Sequence, residues 1–317
     1  MNRTKLANNP VYSYLSHRSY ELCTLLSPRL NSRRRFRKIF HRPLDEKHPV
    51  TWSEKLMALK LARYNGDPLV RQCANKYRVR AYVESCGLEK LLIPCLGLWE
   101  DERAVPWDEL PDQFVLKSTM GCGNHVFCKD RAALDVESAQ KTLRYALRCR
   151  YDLPYAELQY RPGRDMHPQV IGEMYIDNGD GRMLSDYKLF CFHGEPKYLL
   201  LCCDRDSTGH ASYAFLDMDW QMHPELHPCN ARAPLPARPA CFDEMIEAAR
   251  KLSAPFPFVR ADFYVHAGKP LFGELTFTPS ACLDAEITAL GQQTLGDLID
   301  MERASVRKTA GSAQNMS

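Results

Sequence analysis

The segment that most restricts what this chain can fold into is residues 256–280, FPFVRADFYVHAGKPLFGELTFTPS. Two runs of strand-forming residues flank a Gly-containing turn, and each run sets one carboxylate among apolar side chains. Asp262 lies between Ala261 and Phe263, and Glu274 between Gly273 and Leu275. Whether these acids meet depends on hairpin register, because a slip of one residue turns every side chain to the other face. A five-residue loop, His266–Pro270, pairs Val265 with Leu271 and sets Asp262 opposite Glu274, their Cβ atoms about 5 Å apart. Pro270 lacks the N–H that a ladder needs, which favours that odd loop; an even loop sends the acids to opposite faces. Opposed carboxylates repel unless a cation lies between them, and hard oxygen ligands suit Mg2+. An acidic hairpin facing solvent is the plain alternative, but Phe263, Val265, Phe272 and Leu275 argue for a packed one.

A second strand and turn lie upstream. Phe114–Ser118 is strand-like with Lys117 near its end, and Gly121, Cys122, Gly123 and Asn124 follow within a few residues. A lysine ending a buried strand is costly unless its ammonium meets an anion. Nearby glycines let backbone amides close over phosphate oxygens. The order differs from the G-x-x-x-x-G-K-[ST] loop, since the lysine comes first and a strand follows; alone, a hairpin turn with a surface lysine is the commoner outcome. Cys122 has no assignable base beside it and reads as small-residue packing rather than a nucleophile. A third group joins the apolar strand Val170–Ile176, carrying Glu173, to Asp186 and Lys188 on a later strand. A carboxylate and strand-end amides suit adenine and ribose. Lys188, among apolar neighbours, is a second phosphate-seeking cation or a snorkelling surface lysine.

The chain has 317 residues, 45% hydrophobic and 26% charged, which is ordinary for globular proteins and enough for one large or two smaller domains. No apolar run approaches the roughly 20 residues that cross a bilayer, and the amino terminus lacks the pattern of a secretory signal. Thirteen cysteines without a Cys-x-x-Cys pair fit reduced cytoplasmic thiols better than zinc or disulfide frameworks. Periodicity and capping predict helices over 51–61, 75–85, 135–148 and 242–252. Strands are predicted at 91–99, 113–118, 125–129, 169–176, 187–192, 197–203, 212–217, 258–265 and 271–276. This is α+β order, with hairpins rather than strict βαβ alternation.

Charge is uneven. Residues 1–50 hold eleven Lys/Arg against Glu21, Asp45 and Glu46, a net of +8 in a chain totalling +3, so the remainder carries −5. Within Arg33–Arg42, Phe36, Ile39 and Phe40 recur at helical spacing among the cations. A solvated helix, an anionic membrane surface and nucleic acid all suit such a run, and the acidic body disfavours nucleic acid.

Taken together in order and spacing, these pieces resemble the ATP-grasp enzymes, and more closely the TupA-like ATP-grasp group linked to teichuronopeptide and surface-polysaccharide biosynthesis. The resemblance is carried by FRKIFHRPLDEKHPVTWSEKLMALKL, NKYRVRAYV, LPDQFVLKSTMGCGN, DYKLFCFHGEPKY and the 256–280 segment, and runs from about residue 35 to 300. It implies an α+β ATP-grasp fold holding nucleotide between two antiparallel sheets. With the charge and composition readings, the expected parts are a basic segment 1–50, a small N-terminal region 51–110, an ATP-grasp domain 111–302 and a disordered tail 303–317. The resemblance also implies roles. Lys117 grips phosphate, and Gly121, Cys122, Gly123 and Asn124 fold over it. Glu173, Met174, Tyr175 and Ile176, with Asp186, hold adenine and ribose. Lys188 contacts phosphate or acyl phosphate, and Asp262 and Glu274 bind metal. The usual third ligand, an Asn, is here Thr276, and the Gly usual after the proline is Ser280. A hydroxyl is a weaker magnesium ligand, so the Thr276 position implies an altered site or one acting through water. Arg260 and Arg205 are candidate contacts to an acyl phosphate or anionic substrate.

The implied chemistry is ADP-forming ligation with ATP and Mg2+, joining an amino acid or amine to a carboxylate such as a uronic acid of a surface glycan. A kinase using the same ATP site on a hydroxyl is the alternative, and a non-catalytic binding module a third reading. The expected partners are ATP, a carboxylate acceptor and an amine donor, without nucleic acid. The expected location is the cytoplasm, with the basic segment touching the inner face of the membrane.

Overall fold

The computed structural model describes residues 10–176, 179, 183–203, 211–230 and 235–304, with side chains from residue 17 onward. Two antiparallel sheets organise it. The first joins β1 (Cys95–Trp99), β2 (Phe114–Ser118), β3 (Val126–Cys128) and β4 (Val170–Met174) in the order β1-β4-β2-β3. The second joins β5 (Asp186–Phe192), β6 (Glu195–Cys203), β7 (Ser212–Asp217), β8 (Phe258–His266) and β9 (Lys269–Thr276) in the order β7-β6-β5-β8-β9. Among the described residues, no helix is long and apolar enough to cross a membrane.

Eight helices complete the described chain: α1 (Pro10–Leu26), α2 (Pro28–Phe40), α3 (Trp52–Ala62), α4 (Pro68–Ala74), α5 (Val79–Ser85), α6 (Val136–Arg148), α7 (Phe242–Ser253) and α8 (Ala289–Asp297). Helix α6 begins where Asp135 accepts from Ser138 N, and it buries Ala139, Leu143 and Ala146 against the first sheet. Helix α7 buries Phe242, Met245, Ala249 and Leu252 against the second.

Because strand residues alternate between faces, Leu189, Cys191, Ala261 and Phe263 point one way and are wholly buried. Asp186, Lys188, Phe190, Arg260 and Asp262 point the other. That second face is covered at one end by α3, whose Trp52 ring lies 6.1 Å from Phe190 and 5.8 Å from Phe258. Its other end carries the charged residues, which strand alternation and register bring together on that face.

The β8–β9 hairpin differs from expectation in its turn and agrees in its outcome. His266 pairs with Lys269 and Val265 with Pro270, so the turn is the two residues Ala267 and Gly268. Both have positive φ, 49° and 73°, the geometry that matches the twist of adjoining strands. An even turn alone would separate the two acids. A bulge restores them: Phe263 pairs with Phe272 but Asp262 with Glu274, leaving Gly273 as the extra residue.

Other elements differ as well, with α1 and α8 absent from the expected helices. The helix expected from Asn75 starts at Val79, because the Asn75 side chain accepts from Tyr77 N and Arg78 N and holds a turn there. Helix α4 was not anticipated, although Asp67 accepts from Leu69 N and Val70 N and Pro68 follows it, a recognisable start signal. The strand expected over 91–99 is confined to Cys95–Trp99, since Glu89–Leu91 forms a 3-10 turn.

Within the basic segment, residues 10–40 fold as the α1–α2 hairpin, which is docked on the body. Phe36 is fully buried in the main core, and Asn31 Nδ2 donates to the carbonyls of Leu153 (3.3 Å) and Pro154 (3.1 Å). The Arg35 guanidinium lies between the rings of Tyr20 and Tyr155, 3.8 and 4.0 Å from their centres. At the other terminus, Ala304 remains buried, and residues 305–317 of the expected tail lie outside the described residues.

Candidate active site

The register of the second sheet writes the site in rows. Lys188 stands opposite Asp262, and Asp262 opposite Glu274, across β5, β8 and β9. One row along, Phe190, Arg260 and Thr276 are likewise opposite one another. Arg260 donates to both Asp262 oxygens, at 2.7 and 2.6 Å, and to Thr276 Oγ1 at 3.2 Å. Lys188 Nζ donates to Asp262 Oδ2 at 3.0 Å and lies 3.5 Å from Asp186. Thr276 Oγ1 donates to Glu274 Oε1 at 3.1 Å. The sequence-identified Lys188, Asp186, Arg260, Asp262, Glu274 and Thr276 therefore form one cluster of hydrogen bonds and ion pairs.

Asp262 is 2% exposed. Burial alone would raise its pKa, but Arg260 and Lys188 outweigh it and hold the carboxyl below its usual range. Burial likewise opposes the charge on Lys188, and Asp262 overcomes it, so the ammonium is held more firmly than in water. Arg260 follows the same logic and stays charged. The metal question turns on donor type. Asp262, Glu274 and Thr276 offer only oxygens, which fits a hard divalent cation such as Mg2+. Glu274 is the accessible member, its side chain 45% exposed, whereas both Asp262 oxygens are engaged by Arg260 and Lys188.

The first sheet carries the remaining sequence-identified residues. Lys117 on β2 donates to Glu173 Oε2 on β4 at 2.7 Å, a diagonal pair across the ladder in which Val115 faces Glu173. Met174 ends β4, and Tyr175 and Ile176 follow it, with Lys129 Nζ 5.6 Å from the centre of the Tyr175 ring. In the glycine loop, Gly121 has φ 80°, and a Cβ there would lie 2.2 Å from the Tyr151 ring, so only glycine fits. Gly123 and Asn124 also take positive φ, and Asn124 Nδ2 reaches Tyr151 Oη at 3.4 Å. Burial pushes the Cys122 thiol up, which argues against a thiolate nucleophile. Arg205 lies outside the described residues.

Two groups escaped sequence reasoning. Lys76, in the turn before α5, donates to the Gly121 carbonyl, and its own N–H binds the Thr119 carbonyl. Burial lowers its pKa, while Glu274 and Glu173, one on each sheet, oppose that effect. Lys76 therefore interacts electrostatically with a carboxylate of each sheet. The signal was present: Asn75 is a turn-capping residue, and the segment NKYRVRAYV already carried part of the resemblance. The second group is His125, at the end of the glycine loop. Burial, then Lys117 and Lys76, lowers its pKa to about 3, so it is neutral at physiological pH. Its Nδ1 is buried without a hydrogen-bond partner.

The comparisons bear on the arrangement as a whole. The family model described as TupA-like ATPgrasp matches residues 54–300. Comparison with curated proteins gives no match. Among solved structures, D-cycloserine synthetase DcsG is similar at 17% identity, covering 76% of this chain and 74% of its own, with a TM-score of 0.43. D-alanine–D-alanine ligase from Bacillus anthracis complexed with ATP is 13% identical over 76% of this chain and 68% of its own, TM-score 0.46. An L-amino acid ligase from Bacillus licheniformis is 15% identical over 71% and 48%, TM-score 0.43.

Proposed function

The chain belongs to the TupA-like ATP-grasp family and is an ATP-grasp enzyme; we propose that it joins an amine or amino acid to a carboxylate by ADP-forming ligation. The observation that carries this reading is the concentration of Lys117, Lys76, Lys188 and Arg260 around Glu173, Asp262 and Glu274, with no activated nucleophile among the described residues there. Such a site neutralises and orients phosphates rather than attacking them itself.

In the reaction we propose, a substrate carboxylate oxygen attacks the γ-phosphorus, the bond to the β,γ-bridging oxygen breaks, and ADP leaves. The amine then attacks the acyl carbon, loses a proton and expels phosphate. Lys117 and Lys76 hold the phosphates under the Gly121–Asn124 loop. Arg260 and Lys188 sit where the growing charge on the transferred phosphoryl group and the acyl oxygen needs compensation. Asp262, Glu274 and Thr276 would hold Mg2+, which when bound neutralises phosphate charge. Glu173, Met174, Tyr175 and Ile176 take the adenine and ribose.

For the acceptor we propose a uronic acid of a surface glycan, on the strength of the family's link to surface polysaccharide. ADP release against mixed amino acids and uronic-acid acceptors tests the whole reading. ADP formation that requires both partners supports ligation. Transfer of labelled phosphate to a stable hydroxyl product would instead mean a kinase, for which Thr276 in the usual Asn position is the supporting feature. No ATP binding, with Asp262→Ala behaving as wild type, would leave a binding module.

We also propose a peripheral contact with an anionic membrane. At the α1–α2 elbow Leu22, Leu25 and Leu30 are more than half exposed and Leu26 is 84% exposed, on a hairpin that also exposes Arg34, Arg37 and Lys38. Apolar side chains flanked by cations are what an anionic lipid interface accepts, whereas nucleic acid has no use for the leucines.

A further inference from the structure

A groove of about 610 Å³ opens beside the nucleotide cleft, between α4, the turn into α5, α5 itself and the segment around Asp165 and Met166. Its size is that of a small-ligand site. Arg71, Arg78 and Arg80 line it, and backbone carbonyls hold each guanidinium. Arg71 donates to Leu158 O and Arg161 O, both at 3.1 Å, Arg78 to Asp165 O, and Arg80 to Ile93 O at 2.8 Å. A carbonyl orients a guanidinium without neutralising it. Among the described residues, Arg80 alone of the three has a carboxylate within 4 Å, Glu173 at 3.9 Å. The three cations are thus tethered at the groove and largely uncompensated, with donors to spare in each fork.

The remaining lining narrows the ligand. Tyr77 is 40% exposed, an aromatic face available for stacking on C–H groups. Glu84 and Asp165 also line the groove. Carboxylates repel a uniformly anionic ligand but accept hydrogen bonds from hydroxyls. Guanidiniums for a carboxylate, acids for hydroxyls and an aromatic plate for a ring together match a carboxylate-bearing sugar better than a polyphosphate or an acidic peptide.

Position relates the groove to the chemistry. Lys76, Tyr77 and Arg78 are consecutive; Lys76 reaches the Gly121 carbonyl inside the cleft while Tyr77 and Arg78 line the groove. Arg80 lies between groove and cleft through Glu173, which also holds Lys117. We infer that this groove binds a carboxylate-bearing sugar chain and presents one of its carboxylates to the phosphoryl end of the nucleotide site. The inference deepens the ligase reading and rests on it for the fate of the bound sugar, but not for binding.

Titration calorimetry of the full chain with trigalacturonate, maltotriose and triglutamate tests it, with ATP binding measured alongside. The expected result is saturable binding of trigalacturonate, with maltotriose and triglutamate each at least about tenfold weaker, as expected when one charge-assisted contact or one set of hydroxyl contacts is lost. Tyr77→Ala and Arg78→Gln, both at exposed positions, should each weaken trigalacturonate about tenfold while thermal stability and ATP affinity are retained. Absent binding of trigalacturonate, or binding that neither variant weakens, overturns the groove even if small acceptors still support ADP release. Triglutamate binding equally well and equally sensitive to the variants overturns the sugar class. Trigalacturonate binding without any turnover upholds the groove and overturns the ligase reading instead.

Discussion

Asp262 and Glu274 face each other across β8 and β9 although the turn joining those strands has two residues, because Gly273 is extruded as a bulge one step before the pair. A Cβ at Gly273 would lie 3.0 Å from the Asp262 carbonyl oxygen and 3.1 Å from the Tyr264 ring. Gly273→Val should therefore strain the bulge, costing about 1–3 kcal/mol as crowded substitutions do, and displace Glu274 from Asp262. Thermal denaturation reads the first effect and ADP formation the second. A variant with wild-type stability and turnover would show that the bulge does not hold the acids in place.

Asp262 neutralises two buried cations, so Asp262→Asn should be expensive: leaving a buried charge unpartnered costs about 3–5 kcal/mol. The pH dependence has a definite sign. Arg260 and Lys188 hold the Asp262 pKa below its unfolded value of about 3.9, so its contribution is present above that value and is lost as pH falls through the lower folded one. Denaturant unfolding should show the full gap between wild type and variant at pH 7, closing below about pH 4. A gap independent of pH would remove the ionised carboxylate from the account.

Lys76→Met should weaken ATP binding by about 10- to 100-fold, the loss of one charge-assisted contact of about 1.5–3 kcal/mol. His125 provides a second readout. Burial together with Lys117 and Lys76 lowers its pKa to about 3, and removing one of those cations should raise it, as should bound phosphate. Imidazole NMR shifts follow this directly. Because the folded value lies below the unfolded one of about 6.5, the histidine's part in stability is lost as pH falls from about 6.5 toward 3. An imidazole that titrates near 6.5 in the free protein would contradict the placement of both lysines.

Leu25→Glu with Leu26→Glu should abolish sedimentation with phosphatidylglycerol vesicles and leave the melting temperature nearly unchanged, since both side chains already face solvent. Binding to neutral phosphatidylcholine should be much weaker, and salt should reduce binding to the anionic vesicles. Unimpaired sedimentation of the variant would show that the elbow is not the contact.

Much of the site was legible because its chemistry is written in local words. Lys117 before the glycines, Lys188 on its strand and the Asp262/Glu274 hairpin each combine an unusual charge with an apolar run, and that conflict singles out a candidate position in sequence alone. The hairpin shows where such reading stops. Asp262 was expected opposite Glu274 through a five-residue loop; the pairing holds through a two-residue turn plus a bulge, since strand twist selects the turn and packing of Phe263 and Phe272 selects where the extra residue goes.

The sequence by itself determined the α+β order, the strand lysine, the glycine loop and the family, because these depend on short-range pattern and spacing. Only tertiary structure decided which charges meet. Lys76 reaches the cleft because α4, α5 and both sheets converge on its turn, Asp262 is claimed by Arg260 and Lys188 because three strands align them in rows, and the basic amino-terminal segment is anchored because Phe36 enters the main core. Those outcomes depend on long-range packing, in which burial removes water and makes each remaining charge choose a partner.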